Sequence, residues 1–565
     1  MIPEEDQLIE VNFGGGLYSA DLPSAIPENY CSECLNAVPT GTSVENRFGI
    51  TKASVGFKES EIDVDQINQS FTYLGPSGSP NHPIMIWGAK LDSGLEELHL
   101  LREGNPFDDP GGDLVADGYF SSIVNRNFQG SVKYGTRIYI FFDDGVTFLS
   151  DLNWSTPSLT LTTVSGAPTV ISSEPIHFFD RLWVAGGSKL YYTEPPTSSG
   201  AFPGTWNTVT NFITVVGAQG PGKIYKLIPL GSKIFIFTSQ GLFSLTVYGT
   251  PSQWYLRSID ENAIVNSNQC AFEYNGLIYY ISIYGVFVTD GTDSIKLSGP
   301  IENFFLAGNF EQGATSPTKR SNIYRISFMD GGLIASISNY FLVGSTVRYD
   351  SENCHNFYTR LANIAWSEWQ FNSPDGDTKL AAVTTVADAV ESYVNKNPLS
   401  YMMVQTTAST RASAKATGQE LMTYDGLQDT WTLPTGHTGT TSANISTRFK
   451  TRYFEGRSLI HLKKFKYAYL NIYTSDKTKL TNATAWNYQW DTENLTKLVN
   501  GSEITSLDIS SISGLEFNSI KLHSDFPYRM CQLTVILNTE NTQSFKIRNL
   551  VAVQKTIDTN PEAVS

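Results

Sequence analysis

Two cysteines three residues apart, Cys31 and Cys34, have the C-x-x-C spacing that can bind zinc or exchange disulfides. A structural zinc site needs a second pair of ligands, and the nearest candidate, His82, is far along the chain. The chain has five cysteines, odd in number and scattered, which indicates reduced thiols rather than a disulfide framework. We therefore interpret the pair as two small buried residues in a loop.

An acid-rich loop, NPFDDPGGDLVADG at 105–118, offers carboxylate oxygens of the kind that calcium prefers. Its spacing differs from that of an EF-hand, and no glutamate closes it. The alternatives are a bound ion and a solvated Gly/Pro loop, and the solvated loop is the default. The acids are Asp108, Asp109, Asp113 and Asp117.

Catalytic motifs are absent from the sequence: it has no HExxH, GxSxG or P-loop, and no GxGxxG between a strand and a helix. The segment YDGLQDTW at 424–431 is similar to an Asp-box turn of sialidase propellers, but it lacks the leading serine and the spacing to a second glycine. His177, beside two phenylalanines, indicates a packed core histidine rather than a base. We predict no enzyme activity, no cofactor and no bound metal.

The clearest charged feature is a run of seven cations within 19 residues, opposed only by Glu455. One interpretation is a solvated strand face whose lysines protect a sheet edge. The others are a docking surface for an acidic partner, or an inward ring that touches passing phosphate. The seven residues are Arg448, Lys450, Arg452, Arg457, Lys463, Lys464 and Lys466.

The whole chain is acidic, with 39 Lys+Arg against 55 Asp+Glu and a net charge of −16. Such a chain is a poor candidate for wrapping DNA, because phosphate binding needs clustered cations. It suits a surface that DNA must pass without sticking. The first residues, MIPEEDQLIE, do not look like a secretory signal, and no apolar run of membrane-spanning length occurs. We predict no membrane span.

The middle of the chain repeats an aromatic hairpin. Segments at 135–149, 180–193, 231–246 and 275–291 each have a polar or glycine turn, an aromatic strand, a Gly-containing turn and a second strand. Their spacing of about 45 residues is typical of β-propeller blades. Fainter copies are HPIMIWGAKLDSGLEELHLL at 82–101, GGLIASISNYFLVG at 331–344, and SYMMVQTTAS with ELMTYDG within 400–426.

The predicted fold is all-β: a β-propeller of six or seven blades with an antiparallel β-sandwich-like platform domain. Neighbouring blades cover each other's faces, which explains apolar runs such as IFIF at 234–237. Stacked β-domains or a plain β-sandwich are the alternative. Helices look scarce, and the best local helical run is Thr384–Val394. The domains are 1–60 (N-terminal platform segment), 61–440 (propeller) and 441–565 (C-terminal platform), and the two terminal segments are expected to pack together.

The N-terminal stretch VNFGGGLYSADLPSAIPENYCSECLNAVPTGTSVENRFGITKA, at 11–53, contains a Gly-Gly-Leu segment, a proline-led stretch, a Leu-Asn element and a short strand end at 47–52. This series resembles the start of tail proteins of short-tailed phages, namely the tail nozzle or tail tubular protein B family. The C-terminal TRFKTRYFEG and LKKFKYAYLNI resemble the strands after the propeller in that family. Departures are Cys34, where the family favours Ala, and the lack of a proline before Gly49. The residues that carry the resemblance are Gly14, Gly15, Gly16, Leu17, Pro23, Pro27, Leu35, Asn36, Arg47, Phe48, Gly49 and Lys52, and within a blade Tyr191, Tyr192, Thr193, Pro203 and Trp206.

The resemblance implies a structural virion protein, assembled in the host cytoplasm, that forms a hexameric ring below the portal and tail adaptor protein. It implies outward-facing propellers, a channel that retains the genome and lets genomic DNA pass without sequence-specific binding, and anchorage for tail fibres or tailspikes. The alternative function is a carbohydrate-binding, lectin-like propeller used in host attachment, whose Trp- and Tyr-rich loops would stack on sugar rings.

Overall fold

Strands make up nearly all of the regular structure. Within the described residues one α-helix occurs, α1 (Glu302–Gly308), with 3-10 turns at Pro251–Gln253 and Gly299–Ile301. The computed structural model describes residues 6–19, 25–47, 49–52, 64–74, 83–91, 96–102, 119–120, 128–134, 137–149, 161–198, 205–308, 320–343, 346–372, 379–380, 382–391, 398–407, 417–424, 429–432, 440–443, 445–454, 462–474, 486–494, 497–499, 505–507, 518–523, 527–528, 530–539 and 545–557.

Five short strands from the N-terminal segment are distributed over three different sheets rather than pairing mainly with one another. Each adds to a sheet whose other strands come from much later in the chain, so this segment ties distant parts of the sequence together. The strands are β1 (Gln7–Asn12), β2 (Cys31–Leu35), β3 (Ala37–Pro39), β4 (Val44–Asn46) and β5 (Ile50–Lys52).

Five four-stranded antiparallel sheets follow, and in each the order of strands in space is their order in the chain. The four hairpins predicted from the sequence are the central pairs of four of them, so that prediction is confirmed. A small hairpin, β18 (Val216–Gly217) with β19 (Gly220–Pro221), separates the third and fourth sheets. The sheets are β6 (Val64–Leu74), β7 (Pro83–Leu91), β8 (Glu96–Arg102), β9 (Tyr119–Phe120); β10 (Phe128–Tyr134), β11 (Arg137–Phe142), β12 (Gly145–Leu149), β13 (Leu161–Thr163); β14 (Ile176–Phe178), β15 (Arg181–Gly186), β16 (Lys189–Tyr192), β17 (Phe212–Thr214); β20 (Ile224–Leu230), β21 (Lys233–Thr238), β22 (Gly241–Thr246), β23 (Tyr255–Asp260); and β24 (Ala271–Tyr274), β25 (Leu277–Ser282), β26 (Gly285–Thr289), β27 (Ser294–Lys296).

In four blades the second strand is almost entirely buried. Strands β11, β15, β21 and β25 share one pattern, a partly exposed first residue followed by five buried ones. Alternation is lost because neighbouring blades cover both faces of these strands, so every position favours an apolar or small side chain. The run IFIF in β21 is the clearest example.

The turns between first and second strands explain why the hairpins form locally. In two blades the turn is Asn275-Gly276, with φ of 53° and 77°, or Asp330-Gly331, with φ of 50° and 68°. Two consecutive positive φ angles characterise the type I′ turn, whose twist matches that of the flanking strands. Asn, Asp and Gly adopt this conformation at the lowest cost, so the turn is encoded by two residues.

Two further sheets complete a ring of seven blades within the described residues. The first strand of each sheet contacts the first strand of the next, and that of the seventh contacts β6 of the first. The chain is therefore an all-β propeller, with the larger of the two blade numbers predicted. The sixth blade is β28 (Arg320–Met329), β29 (Gly332–Val343), β30 (Thr346–Arg360) and β31 (Asn363–Glu368), a hairpin of β32 (Phe371–Asn372) and β33 (Lys379–Leu380) follows, and the seventh is β34 (Ala382–Glu391), β35 (Pro398–Thr407), β36 (Thr417–Tyr424), β37 (Asp429–Thr432) and β38 (Thr440–Ala443).

The seventh blade includes a strand from the N-terminal segment. Strand β5 lies between β36 and β37, antiparallel to the first and parallel to the second. The backbone of Ile50–Lys52 thus joins the blade that lies next to the first blade, β6 to β9. A ring closed by a strand from the other end of the chain resists opening between its first and last blades.

The predicted helix at Thr384–Val394 is wrong, because Ala382–Glu391 is strand β34 and pairs antiparallel with β35. The run TTVADAV contains several β-branched residues, which fit a pleated strand better than a helix. Val394 lies outside the described residues. Tertiary pairing within the seventh blade decided between two weak local preferences.

The platform is a sandwich of two sheets built from both ends of the chain. One sheet continues the sixth blade: β31 pairs with β2, β2 with β39, and β39 with β46 and then β41. The other joins β1, β3, β4, β40, β44, β45 and β47 into seven strands. The C-terminal strands of the two sheets are β39 (Ile445–Thr451), β40 (Leu462–Thr474), β41 (Trp486–Asn494), β42 (Lys497–Val499), β43 (Thr505–Ser506), β44 (Asn518–Leu522), β45 (Pro527–Tyr528), β46 (Met530–Thr539) and β47 (Phe545–Ile557).

Aromatic contacts between the two sheets show where the platform core lies. The rings of Phe449 and Phe545 meet edge to face at 6.4 Å, and those of Phe465 and Trp490 lie 5.0 Å apart. Each pair joins one sheet to the other, as in an aligned β-sandwich. The expected packing of the terminal segments on each other is therefore present as shared sheets.

The glycine run at the start of the chain is needed for close backbone approach. A Cβ on Gly14 would lie 2.2 Å from the carbonyl carbon of Gly41. Gly16 has φ of +77°, and a Cβ there would lie 2.3 Å from the Trp366 oxygen, which accepts a hydrogen bond from the Leu17 amide at 2.6 Å. Only glycine fits such positions, so the run fastens the N-terminal segment onto the sixth blade.

Arg47 is a second fastening point. Its guanidinium is fully buried, donates to Asn36 Oδ1 and to the Gln370 carbonyl oxygen at 2.9 Å each, and lies over the rings of Trp369 and Phe371. Burying this charge is favourable only because these partners surround it.

No helix among the described residues is long and apolar enough to cross a bilayer.

Candidate docking surface

Three of the seven predicted cations lie on the exposed face of the platform sheet that continues the sixth blade. Buried and half-exposed residues alternate along β39, which places Arg448 and Lys450 outside and Phe449 in the core. Each cation is paired with an acid of the same chain. The pairs are Arg448–Glu33 at 3.3 Å, Lys450–Asp491 at 3.4 Å and Arg452–Glu28 at 2.8 Å.

These pairs join β39 or its end to the N-terminal segment and to β41, so they are part of the sandwich itself. Exposed pairs of this kind stabilise by at most about 1 kcal/mol each, because water screens them. The arrangement is that of the solvated strand face considered from the sequence. Three cations already neutralised in this way give little net positive field to a partner.

Lys463 requires a correction, because it is 2% exposed and cannot be a docking residue. The buried and exposed pattern of β40 points Lys463 and Phe465 toward the core and Lys464 outward. Lys463 stands next to the core residues Tyr528 and Cys531, and it lowers the pKa of Cys531 against the larger raising effect of burial. Consecutive lysines on a strand face opposite sides of the sheet. Counting the charges in the sequence did not show this.

Lys464 and Lys466 lie on the outer side of the seven-stranded sheet, away from the three cations of β39. Lys466 pairs with Asp6, which immediately precedes β1. Arg457 lies outside the described residues. The predicted cluster is therefore divided between the two sheets of the sandwich and does not form one patch.

The outer side of the seven-stranded sheet carries an apolar row that the sequence did not single out. Leu8 on β1 faces Val553 on β47, which faces Tyr467 on β40. Next to this row, Val551 faces Tyr469, whose ring lies 5.7 Å from that of Tyr467. We call these five residues the tyrosine face.

The tyrosine face is open at its ends and closed at its centre. Leu8 is 63% exposed and Tyr467 is 40% exposed, whereas Val553 between them is 7% exposed. Exposed leucine and tyrosine side chains in one row across a sheet are a feature of contact surfaces. Alternation in FKYAYLNIY could have indicated outward tyrosines, but Leu8 comes from the other end of the chain.

A chain of hydrogen bonds borders the tyrosine face on one side. Ser519 donates to Asn471, Asn471 to Asn549 at 2.7 Å, and Asn549 to Glu10. The chain crosses four strands, β44, β40, β47 and β1, and satisfies polar groups across them. These bonds join the four strands to one another beside the tyrosine face.

The C-x-x-C pair has no signs of a metal or redox site. Cys31 and Cys34 lie on strand β2 rather than in a loop, and both are buried free thiols. Burial raises the pKa of Cys31 to about 12 and that of Cys34 well above its ordinary value. Since the thiolate is the reactive and metal-binding form, these side chains act as small core residues.

His177 is not the core histidine that the sequence indicated. It is exposed on β14, and its ring contacts the ring of Tyr134 edge to face at 4.5 Å. Desolvation lowers its pKa, and the charge of Asp180 opposes that effect. It is a partly covered surface histidine at the first strand of a blade.

The remaining chemical candidates fall largely outside the described residues. The acid-rich loop at 105–118 is among them, so the calcium alternative stays a prediction. Of the Asp-box-like segment the structure describes Tyr424 at the end of β36 and the strand β37. Among the described residues no group of three or more His, Cys, Asp or Glu could hold a metal ion.

Comparison with known proteins gives no family. No family model and no curated protein matches the chain. Among solved structures, the N-terminal domain of Nup159 is 12% identical, with 49% of this chain and 70% of that chain covered and a TM-score of 0.31.

Two other matches are of the same kind. The extracellular domain of a hybrid two-component system, BT4673 of B. thetaiotaomicron, is 12% identical, with 73% and 47% covered and a TM-score of 0.30. A subtype N11 neuraminidase-like protein of A/flat-faced bat/Peru/033/2010 is 10% identical, with 69% and 95% covered and a TM-score of 0.27. Likeness at this level carries no argument about function.

Proposed function

We propose that the protein is a structural subunit of a bacteriophage tail, the tail nozzle, which extends the DNA exit channel below the portal and adaptor. In this proposal six copies form a ring, retain the genome until infection, and carry fibres or tailspikes on their propellers. The observation that supports it most is the composite platform, because the two chain ends that resemble the tail nozzle family form one sandwich.

A continuous sheet makes the platform and the propeller one mechanical unit. Strand β31 of the sixth blade pairs with β2, and the Trp366 and Trp369 indoles donate to carbonyl oxygens of Leu297 and Ala37 at 2.9 Å each. Strand β5 then anchors the same segment in the seventh blade. A subunit that holds neighbours against the pressure of packaged DNA needs such a rigid connection.

The net charge of −16 supports the passage of DNA. A wall that repels phosphate lets the duplex slide. A wall of unpaired cations would bind the DNA phosphates, release the counterions of the DNA and so hold the duplex. In the platform, Arg448, Lys450 and Arg452 are each neutralised by an acid. The proposal needs no catalytic step and no cofactor.

Electron microscopy of the purified protein, alone and mixed with its tail adaptor, tests the proposal. The expected result is a ring of about six subunits with propellers at the periphery. A protein that remains monomeric in the presence of the adaptor would contradict the nozzle function.

The carbohydrate-binding alternative has one observation in its favour. Tyr248 and Tyr255, in and next to the connection between β22 and β23, are 80% and 65% exposed. Exposed aromatic rings stack on sugars, so a glycan array probed with the purified chain discriminates between the two functions. If the chain binds a glycan specifically, and the double variant Tyr248→Ala, Tyr255→Ala does not bind it, the carbohydrate-binding function is favoured.

A further inference from the structure

The tyrosine face has the composition of an interface centre. Its apolar row runs across three strands in register, with Leu8 and Tyr467 exposed at either end. Val553, between them, is 7% exposed, so the exposed apolar surface is that of Leu8 and Tyr467. Protein interfaces place apolar and aromatic side chains at the centre and polar side chains around them, and tyrosine is enriched among the residues that dominate affinity.

The net charge of the described residues around the row has the opposite sign to that of the chain. Among the described residues on this side of the sheet, six cations and three acids give a net charge of +3. Since the whole chain carries −16, the rest of it carries −19. The cations are Lys464, Lys466, Lys521, Lys546, Arg548 and Lys555, and the acids are Asp6, Glu10 and Glu45.

We propose that the tyrosine face is one half of a head-to-tail contact between two copies of this chain. The other half is an acidic surface elsewhere on the neighbouring copy. The inference rests on the proposed function, because it assigns a surface to the subunit contact of the ring.

Charge decides between a head-to-tail and a two-fold contact. Two tyrosine faces brought together would place like charges opposite each other, which costs free energy. A contact between this face and a different, acidic face of the next copy brings opposite charges together. Contacts between unlike surfaces repeat from copy to copy and close into a ring when the rotation permits.

The test is the self-association of the full chain by mass photometry and light scattering over a range of concentrations. Leu8→Asp places a carboxylate in the apolar row at a side chain that is already 63% exposed. We expect self-association to weaken by at least about tenfold. The matched control is Ile295→Asp on β27, where the side chain is 65% exposed and self-association should be unchanged.

A second variant protects against misfolding. Lys521→Glu reverses an exposed charge beside Tyr469 and should also weaken association. Added salt should weaken the association of the wild type, where it screens an attraction, and strengthen that of Lys521→Glu, where it screens a repulsion. Circular dichroism and melting temperature confirm that each variant is folded. Zero-length carbodiimide coupling of mixed light and heavy copies should join Lys466 or Lys521 to a carboxylate of another copy.

The outcomes separate the inference from the proposed function. If the wild type forms rings and Leu8→Asp forms them equally well, the tyrosine face is not the contact although the nozzle function stands. If the wild type is monomeric at every concentration, self-association through this face is refuted. If a fluorescent oligonucleotide binds the wild type and not Lys521→Glu while association is unaffected, the face binds nucleic acid and the inference is wrong.

Discussion

Gly16→Ala tests whether the N-terminal segment is held by direct backbone contact with the sixth blade. Gly16 has φ of +77°, and its added Cβ would lie 2.3 Å from the Trp366 oxygen. Gly276, in the turn between β24 and β25, also has φ of +77°, but a Cβ there would meet nothing within 4 Å. The two glycines therefore share the conformational cost and differ only in the clash.

The magnitude follows from that difference. Alanine at positive φ costs about 1–2 kcal/mol at either site. At Gly16 the backbone must also move away from Trp366, which breaks the Leu17–Trp366 hydrogen bond and strains its neighbours, for roughly 2–3 kcal/mol more. For a cooperative unit of 150–250 residues this extra cost lowers the melting temperature by about 4–12 °C.

The assay is thermal unfolding followed by tryptophan fluorescence, since Trp366 and Trp369 lie at the contact. Gly276→Ala should melt a few degrees below the wild type, and Gly16→Ala should melt well below Gly276→Ala. Equal melting temperatures for the two variants would refute the close packing of the glycine run on the sixth blade.

Three further predictions concern buried or partly buried groups. Arg47→Lys should lower stability by about 2–4 kcal/mol, because one ammonium cannot reach both oxygens and stack on two rings. The control Arg452→Lys should lower stability by less than about 1 kcal/mol, and equal melting temperatures of the two variants would refute the role of Arg47. A thiol reagent at pH 8 should modify no more than one of the five cysteines of the native protein, because Cys31, Cys34, Cys270 and Cys531 are buried with raised pKa; rapid loss of two or more thiols contradicts it. Because desolvation lowers the pKa of His177, the folded state binds its proton less readily than the unfolded chain does, and the resulting loss of stability grows as pH falls through about 6.5. His177→Gln should therefore gain melting temperature relative to the wild type at pH 5 and not at pH 8, and parallel pH profiles would show that the histidine contributes nothing.

The hairpins could be predicted because their physics is local. Asn275-Gly276 encodes a type I′ turn by itself, and the apolar run that follows it forms a strand that must be covered on both sides. Repetition of this unit is enough to indicate a ring of blades. The helix expected near Thr384 was wrong because its local preferences were weak and pairing with β35 decided the outcome.

The docking surface could be predicted only in part. The sequence identified Lys464 and Lys466 as cations, but it placed Lys463 with them, although a strand turns alternate residues to opposite sides and Lys463 is buried. The apolar row was missed because Leu8, Val553 and Tyr467 come from three distant stretches of the chain. No pattern among residues close in sequence predicts that these three side chains lie next to one another.

The sequence by itself determined the strands, the turns and the repeat, because each depends on the preferences of neighbouring residues. The tertiary structure alone decided which strand closes the ring and which side chains meet on the platform. Strand β5 is three residues long, and its sequence has no pattern that predicts its partner strands. Its position between β36 and β37 depends on backbone hydrogen bonds that form only in the folded chain.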